Sequence, residues 1–145
     1  MFYLTDEMCR EIISDHISSP RNINKPHNGY SECTLKNPSC GDLITVYVSF
    51  VSNIASDITY EVEGCSICRS SASMMSELLL NKNLEEIKNI ISNFNNMVLS
   101  EEYDEDLLED ATSLRGVSKQ HPRIKCATLC YKAFEQTLND NLYNM

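Results

Sequence analysis

Cysteines at three well-separated positions lie in local sequences that favour a reactive thiolate. Cys40 follows a turn sequence, Cys65 lies where a strand pattern gives way to a helix pattern, and Cys126 lies near the start of an amphipathic helix. A helix N-terminus stabilises the thiolate, which is the form of cysteine that binds metals and attacks sulfur. Asp42 adds a carboxylate oxygen, which zinc accepts beside sulfur. If these four side chains converge in the fold, they form one metal–thiolate centre.

Two basic residues lie just before the last of these cysteines. Arg123 and Lys125 are expected to lower the pKa of the Cys126 thiol and to offset the negative charge of a thiolate cluster. The alternative is that they only solvate an exposed first helical turn.

A second pattern, Cys65-x-x-Cys68, is ambiguous when taken alone. Such a pair at a strand-to-helix junction also occurs in thioredoxin-like redox sites, although the alternating βαβ pattern of that fold is missing here. The remaining cysteines include Cys9 and Cys33, which are predicted to be structural, small buried side chains. His16 and His121 are candidate substitute ligands, and His16 is interpreted as a residue at the edge of the core.

The composition predicts a single soluble domain over residues 1–145. The formal charge of −9 argues against general nucleic-acid binding. No stretch approaches the ~20 apolar residues of a membrane span, and the N-terminus lacks the features of an export signal, so a cytoplasmic location is expected. Seven cysteines in such a chain favour metal or thiol chemistry over disulfides. The acidic run at 101–110 is interpreted as a solvated helix face.

Hydrophobic periodicity predicts an α+β fold with a three-stranded antiparallel sheet and helices packed on one face. Thr5 is the expected N-cap of the first helix, and the turn with Cys40 is expected to join the first two strands. The break at Ser52 and Asn53 indicates a hairpin. The predicted strands are 30–36, 43–51 and 54–62, and the predicted helices are 5–19, 66–80, 83–96, 104–114 and 122–140.

The order of short motifs resembles the U-type iron–sulfur cluster assembly scaffolds (the IscU/SufU/NifU N-terminal family, with a SufE/IscU-like fold), and their SufU branch in particular. The stretch between Cys65 and Cys126 is longer than in the IscU branch, and Lys125 stands where that branch has a histidine ligand. The motifs that carry the resemblance are residues 15–16, 20–22, 37–42, 63–67, 70–75, 114–117 and 123–127.

The resemblance implies a zinc site made by Cys40, Asp42, Cys65 and Cys126. It also implies a role in iron–sulfur cluster assembly as a sulfurtransferase-like acceptor, which takes persulfide sulfur from a PLP-dependent cysteine desulfurase of the SufS type. The sulfur would then pass to a downstream iron–sulfur scaffold. The alternatives are a scaffold that binds iron or assembles a [2Fe–2S] cluster, and a thiol–disulfide oxidoreductase.

Cys40 is the expected sulfur acceptor, because it is the only one of the proposed ligands on a loop, whereas Cys65 and Cys126 are held by helices. The chain departs from the family pattern at Cys68 and Cys130, where cysteine is unusual. Each lies about one helical turn from a proposed ligand. The alternatives are a sulfur relay, a regulatory disulfide or no role, and the absence of a role is the favoured expectation.

Overall fold

The computed structural model describes residues 4–143. Its elements in chain order are α1 (Asp6–Ser18), β1 (Ser31–Asn37), β2 (Asp42–Val51), β3 (Ile54–Glu63), α2 (Ser66–Leu78), α3 (Leu84–Val98), α4 (Glu105–Leu108), a 3₁₀ helix (Glu109–Lys119) and α5 (His121–Tyr143). This order of one helix, three strands and then helices confirms the predicted α+β class.

The three strands form an antiparallel meander in the order β1-β2-β3. Asn37 pairs with Asp42 at the end of the first hairpin, so residues 38–41 form the connecting turn. In the second hairpin, Ser52 and Asn53 both have positive φ values, 53° and 63°. Two such residues form the tight turn whose twist suits adjacent antiparallel strands. Both predicted connections are therefore confirmed.

Helices cover the face of the sheet to which alternate β2 residues point. Ile44, Val46 and Val48 are fully buried there, and α5 packs against β1 and β2 while α2 packs against β3. Between the helices, the rings of Phe94 and Tyr131 stack with their centroids 4.1 Å apart. Burial of these apolar side chains, at about 25 cal/mol per Å², fixes α5 on the sheet.

Helix α1 begins where the sequence predicts. The Thr5 hydroxyl accepts a hydrogen bond from the Met8 N–H at 3.1 Å, which satisfies one free donor of the first turn. The helix ends before Pro20, which cannot continue it. Cys9 is buried as predicted, whereas Cys33 is only half-buried, so the prediction for Cys33 holds in part.

The helix predicted at 104–114 is wrong in its type and extent. Only Glu105–Leu108 is α-helical, because Glu109 has φ 45° and ψ −126°, which ends the α-helix; a 3₁₀ helix follows to Lys119. The acidic run is exposed for the most part, but it is spread over a loop, α4 and the start of the 3₁₀ helix. It is therefore not one face of a helix.

Within residues 4–143, every helix is too short or too polar to span a bilayer.

Candidate metal centre

Cys40 lies in the turn between β1 and β2 and is exposed. The backbone N–H groups of Cys40 and Gly41 donate to the Asn37 carbonyl at 3.3 Å and 2.8 Å, which closes the turn. Gly41 has a φ of 75°, in the left-handed region that glycine adopts without steric cost. The turn thus holds a solvent-facing thiol at the end of the β1–β2 hairpin.

Asp42, the first residue of β2, is buried and its carboxylate is surrounded by donors. Oδ1 accepts the Cys65 backbone N–H at 3.0 Å, and Oδ2 accepts from Asn37 Nδ2 at 3.4 Å. Burial opposes ionisation of this group, but hydrogen bonds from the Cys126 thiol, the Cys65 N–H and Asn37 outweigh it, so the pKa of Asp42 lies below its ordinary value. The carboxyl is held as the charged, ligand-competent form.

Cys65 is the N-cap residue of α2 and is half-buried. Its sequence neighbour Gly64 has no room for a side chain, because a Cβ there would lie 2.5 Å from Asp42 Oδ1. The close approach lets the start of α2 bring its backbone N–H and the Cys65 thiol to Asp42. The expected position of Cys65 at the start of a helix is confirmed.

Cys126 lies in the second turn of α5 and is fully buried. Burial, followed by hydrogen bonding to Asp42, Cys40 and Cys65, raises the pKa of the Cys126 thiol. Burial and hydrogen bonding therefore set the net shift, which is upward and not downward as expected. Arg123 nevertheless interacts with the Cys126 sulfur, so its charge favours the thiolate, and the effect of Lys125 stays a prediction.

The ligand atoms of Cys40, Asp42 and Cys126 all lie within 4.8 Å of one another. Cys65 lies outside this tight group, although its thiol interacts with Asp42 and Cys126. Thiolate sulfur and carboxylate oxygen are donors of zinc. The group supplies two thiols and one carboxylate, and the Cys65 thiol lies beside them. This set of four donors fits a four-coordinate zinc ion.

The two basic residues occupy different positions relative to these thiols. Arg123 is exposed, and the neighbouring Cys65, followed by hydrogen bonds with Cys126 and Cys65, raises the pKa of its guanidinium. Lys125 is exposed on the first turns of α5. The structure therefore brings Arg123, rather than both residues, to the sulfur atoms.

Cys68 and Cys130 are fully buried in the hydrophobic core. Burial, and secondarily the nearby Cys130, raises the pKa of the Cys68 thiol, and burial raises that of Cys130 to about 12. Cys130 also hydrogen-bonds with Ser71 at 3.5 Å. Redox exchange requires an accessible thiolate, so these thiols do not support the thioredoxin-like interpretation of Cys65-x-x-Cys68.

Two residues important to the centre were given no role from the sequence. Asn37 is buried, and its Nδ2 donates to Asp42 Oδ2 at 3.4 Å and to Cys126 Sγ at 3.8 Å. It therefore orients two of the proposed ligand atoms. Gly64 allows the approach of α2. The only signal was their adjacency to proposed ligands, as the residue before a Pro-Ser-Cys turn and the residue before Cys65. Neither His16 nor His121 belongs to the cluster around Cys40.

Comparisons with known proteins agree with this fold. The model of the NifU-like N-terminal domain matches residues 8–140. The chain is 39% identical to the zinc-dependent sulfurtransferase SufU of Bacillus subtilis over 132 residues, which is 90% of this chain and 89% of that protein. It is 33% identical to the iron–sulfur cluster assembly scaffold protein IscU of Streptococcus pyogenes, over 88% of this chain and 80% of that protein.

A solved structure gives the same result. The putative iron–sulfur cluster assembly scaffold protein for the SUF system of Fervidobacterium islandicum superimposes with a TM-score of 0.75 at 30% identity. The match covers 86% of this chain and 92% of that chain.

Proposed function

The chain belongs to the family of NifU-like N-terminal domains, and on that premise we propose that it acts in iron–sulfur cluster assembly as a zinc-dependent acceptor of persulfide sulfur. The observation that carries the proposal is the cluster of Cys40, Asp42 and Cys126, in which only the Cys40 thiol is exposed. The name of the SufU relative, a zinc-dependent sulfurtransferase, supports the same activity.

Cys40, Asp42, Cys65 and Cys126 are the proposed ligands. Bound zinc would hold these thiols in the thiolate form and close the site with protein ligands. Asn37 donates to the Asp42 carboxylate, and the Cys65 N–H fixes its other oxygen, so Asp42 is oriented before any metal arrives. Hydrogen bonds of this kind hold a metal ligand in the orientation that it needs for binding.

Sulfur uptake is proposed to occur at Cys40. Its thiolate attacks the terminal sulfur of a persulfide, RS–SH, on a cysteine desulfurase. A new S–S bond forms at Cys40, the old S–S bond breaks, and the desulfurase thiolate RS⁻ leaves, so that Cys40 carries the persulfide. The buried Cys126 cannot meet a partner's persulfide without opening the fold, whereas Cys40 can do so directly.

The proposed partners follow from this step. A PLP-dependent cysteine desulfurase of the SufS type would supply the persulfide, and an iron–sulfur scaffold would receive the sulfur. The Arg123 guanidinium, beside Cys65 and Cys126, is placed to attract an anionic persulfide. Lys125, exposed on the same helix, would add to this attraction at longer range.

The test is sulfur transfer from a desulfurase to the zinc-loaded protein, followed as a mass increase of one sulfur atom on the intact chain. Cys40→Ser should abolish uptake, whereas the control Cys33→Ser, a half-buried thiol of β1, should leave it unchanged. Uptake by the Cys40→Ser protein at the wild-type rate would reject Cys40 as the acceptor. Zinc content near zero in folded protein purified without added metal would reject the zinc site.

A second candidate is a scaffold on which a [2Fe–2S] cluster is assembled. The names of the IscU relative and of the Fervidobacterium structure favour it, and cysteine thiolates are the usual ligands of such clusters. Anaerobic reconstitution with iron and sulfide separates the two. A stable visible spectrum with stoichiometric cluster would favour the scaffold, and retention of zinc with colourless protein would favour sulfur transfer.

A further inference from the structure

A second cluster of candidate ligands lies away from the cysteine centre, where α1, α2 and the 3₁₀ helix meet. His16 Nε2 is 3.2 Å from Asp110 Oδ2 and 4.0 Å from Glu77 Oε1. The ligand atoms of all three residues lie within 4.8 Å of one another. No residue is shared with the group around Cys40.

The imidazole is fixed before any ligand binds. His16 is 1% exposed, and its Nδ1 hydrogen-bonds with Ser73 Oγ at 2.7 Å. The Arg21 backbone N–H donates to the same oxygen at 2.9 Å, so Ser73 is itself held in place. When Nδ1 carries the proton, Nε2 presents a lone pair to the two carboxylates. In metal-binding histidines, a hydrogen bond at the ring nitrogen that does not bind the metal fixes the orientation of the imidazole in this way.

The charge of the cluster is only partly compensated by protein groups. A proton on Nε2 can be donated to Asp110, but Glu77 at 4.0 Å is beyond hydrogen-bonding distance of it. Arg21 lies 3.6 Å from Glu77, yet its shorter contact, at 2.6 Å, is with Asp15. One divalent cation would neutralise both carboxylates of the cluster, which a single proton on His16 cannot do.

The distances and the access also suit a metal ion. Ligand atoms around a four- to six-coordinate ion with bonds of about 2.1 Å are separated by about 3.0–3.4 Å. The 3.2 Å separation from Asp110 matches this range, and the 4.0 Å separation needs only a side-chain adjustment of the half-exposed Glu77. A 310 Å³ cavity lined by Glu77 and Asp110 opens beside the carboxylates, so an ion with bound water can enter.

We propose that His16, Glu77 and Asp110 form a second site for a divalent first-row cation, with one imidazole and two carboxylate ligands and water in the remaining positions. Such a donor set suits manganese and ferrous iron better than the thiolate-rich centre does. Binding there ties α1, α2 and the 3₁₀ helix together. None of its residues belongs to the cysteine centre, so substitutions at this site leave the proposed zinc ligands in place.

The test is Mn²⁺ binding to the zinc-loaded protein, measured by the loss of the free-ion EPR signal. Mn²⁺ prefers oxygen and nitrogen ligands, so it does not report on the cysteine centre. We expect one saturable site, and Asp110→Asn and Glu77→Gln should each weaken it by about tenfold or more. Both side chains are half-exposed, so the variants should fold, which circular dichroism verifies.

The matched control is Glu102→Gln, which removes the same charge from an exposed residue of the acidic run that does not line this cavity. It should leave the Mn²⁺ affinity within about twofold of wild type, since Glu102 is not a ligand. Equal weakening by Glu102→Gln and Asp110→Asn would show diffuse attraction by the acidic segment and overturn the proposal. The absence of saturable binding, or unchanged affinity in Asp110→Asn, would overturn it as well.

Discussion

Gly64 and Asp42 approach each other so closely that no side chain fits at position 64: a Cβ there would lie 2.5 Å from Oδ1 and 3.1 Å from Cγ of Asp42. The contact links the start of α2 to the start of β2. The contact joins two proposed ligands, because Asp42 is one of them and Gly64 directly precedes Cys65, which is another. The geometry of the centre therefore depends on the absence of a side chain at position 64.

Gly64→Ala is the first prediction. Relief of the clash must move Asp42 or the first turn of α2, and we expect a loss of about 1–3 kcal/mol in the free energy of unfolding of the metal-free protein. Zinc affinity, measured by competition with a chelator, should fall about tenfold or more. The control is Gly116→Ala, where a Cβ meets nothing within 4 Å. Equal zinc affinity in both variants would contradict the prediction.

Asn37→Ala tests the buried amide beside the ligands. The substitution removes the donor to Asp42 Oδ2 and Cys126 Sγ, so we expect zinc affinity to fall about tenfold while the fold is retained. Thr34→Ala, in the same strand, is the control, because the exposed Thr34 side chain hydrogen-bonds with the Thr45 hydroxyl and not with a proposed ligand. A wild-type zinc affinity in Asn37→Ala would show that the amide does not position the ligands.

Thiol reactivity should follow exposure and pKa. In folded, metal-free protein, iodoacetamide should label Cys40 first, while Cys68 and Cys130 should stay unlabelled until the chain unfolds, because burial raises the pKa of both. Peptide mass mapping at successive times gives the order. Rapid labelling of Cys68 in the folded state would contradict its burial and would support redox exchange with Cys65.

The acid stability of the sheet should depend on Asp57. Burial opposes its ionisation, but hydrogen bonds from Lys25 at 2.6 Å and Tyr30 at 2.5 Å hold its pKa below the ordinary value. A lowered folded-state pKa gives stability that is complete above the unfolded value of about 4 and is lost as the pH falls through the folded value. The stabilisation should be about 1 kcal/mol, because the pair is partly exposed.

Urea unfolding at pH 7 and between pH 5 and pH 3 measures this effect. Asp57→Asn should be less stable than wild type at pH 7 and should lose less stability over the acid range. Asp140→Asn, which removes an exposed carboxylate in α5, should keep the wild-type pH dependence. If Asp57→Asn shows the full wild-type loss between pH 5 and pH 3, the ion pair does not carry this stability.

Local patterns were sufficient for the sheet and for the capped helices. The β-branched and aromatic residues that indicate β2, the Ser52 and Asn53 turn and the Thr5 cap are local signals, and the structure confirms the strand, the turn and the cap. The segment after Glu109 was not predictable in this way. Its 3₁₀ form accompanies the burial of Ala111 and Leu114 against other elements, which the local composition does not encode.

In the candidate centre, too, some features were predictable from local sequence and others depend on tertiary packing. Turn and helix-start signals selected Cys40 and Cys65 as separate thiols, but spacing alone could not show that they meet Cys126, which lies 61 residues after Cys65. That convergence depends on how α5 packs against the sheet, and it was expected only from the family resemblance. The position of His16 beside Asp110, 94 residues away, had no local signal at all.

The length of the turn between β1 and β2 limits how far the Cys40 thiol can travel. Cys40 is two residues from Asp42, and Asp42 is fixed in the sheet by its pairing with Asn37. Two extended residues span about 7 Å, so the Cα of Cys40 can never move farther than this from its anchor. The protein therefore cannot carry sulfur between distant sites on a swinging segment. Donor and acceptor would each have to dock at this corner, so the two would compete for the same surface and would bind in turn.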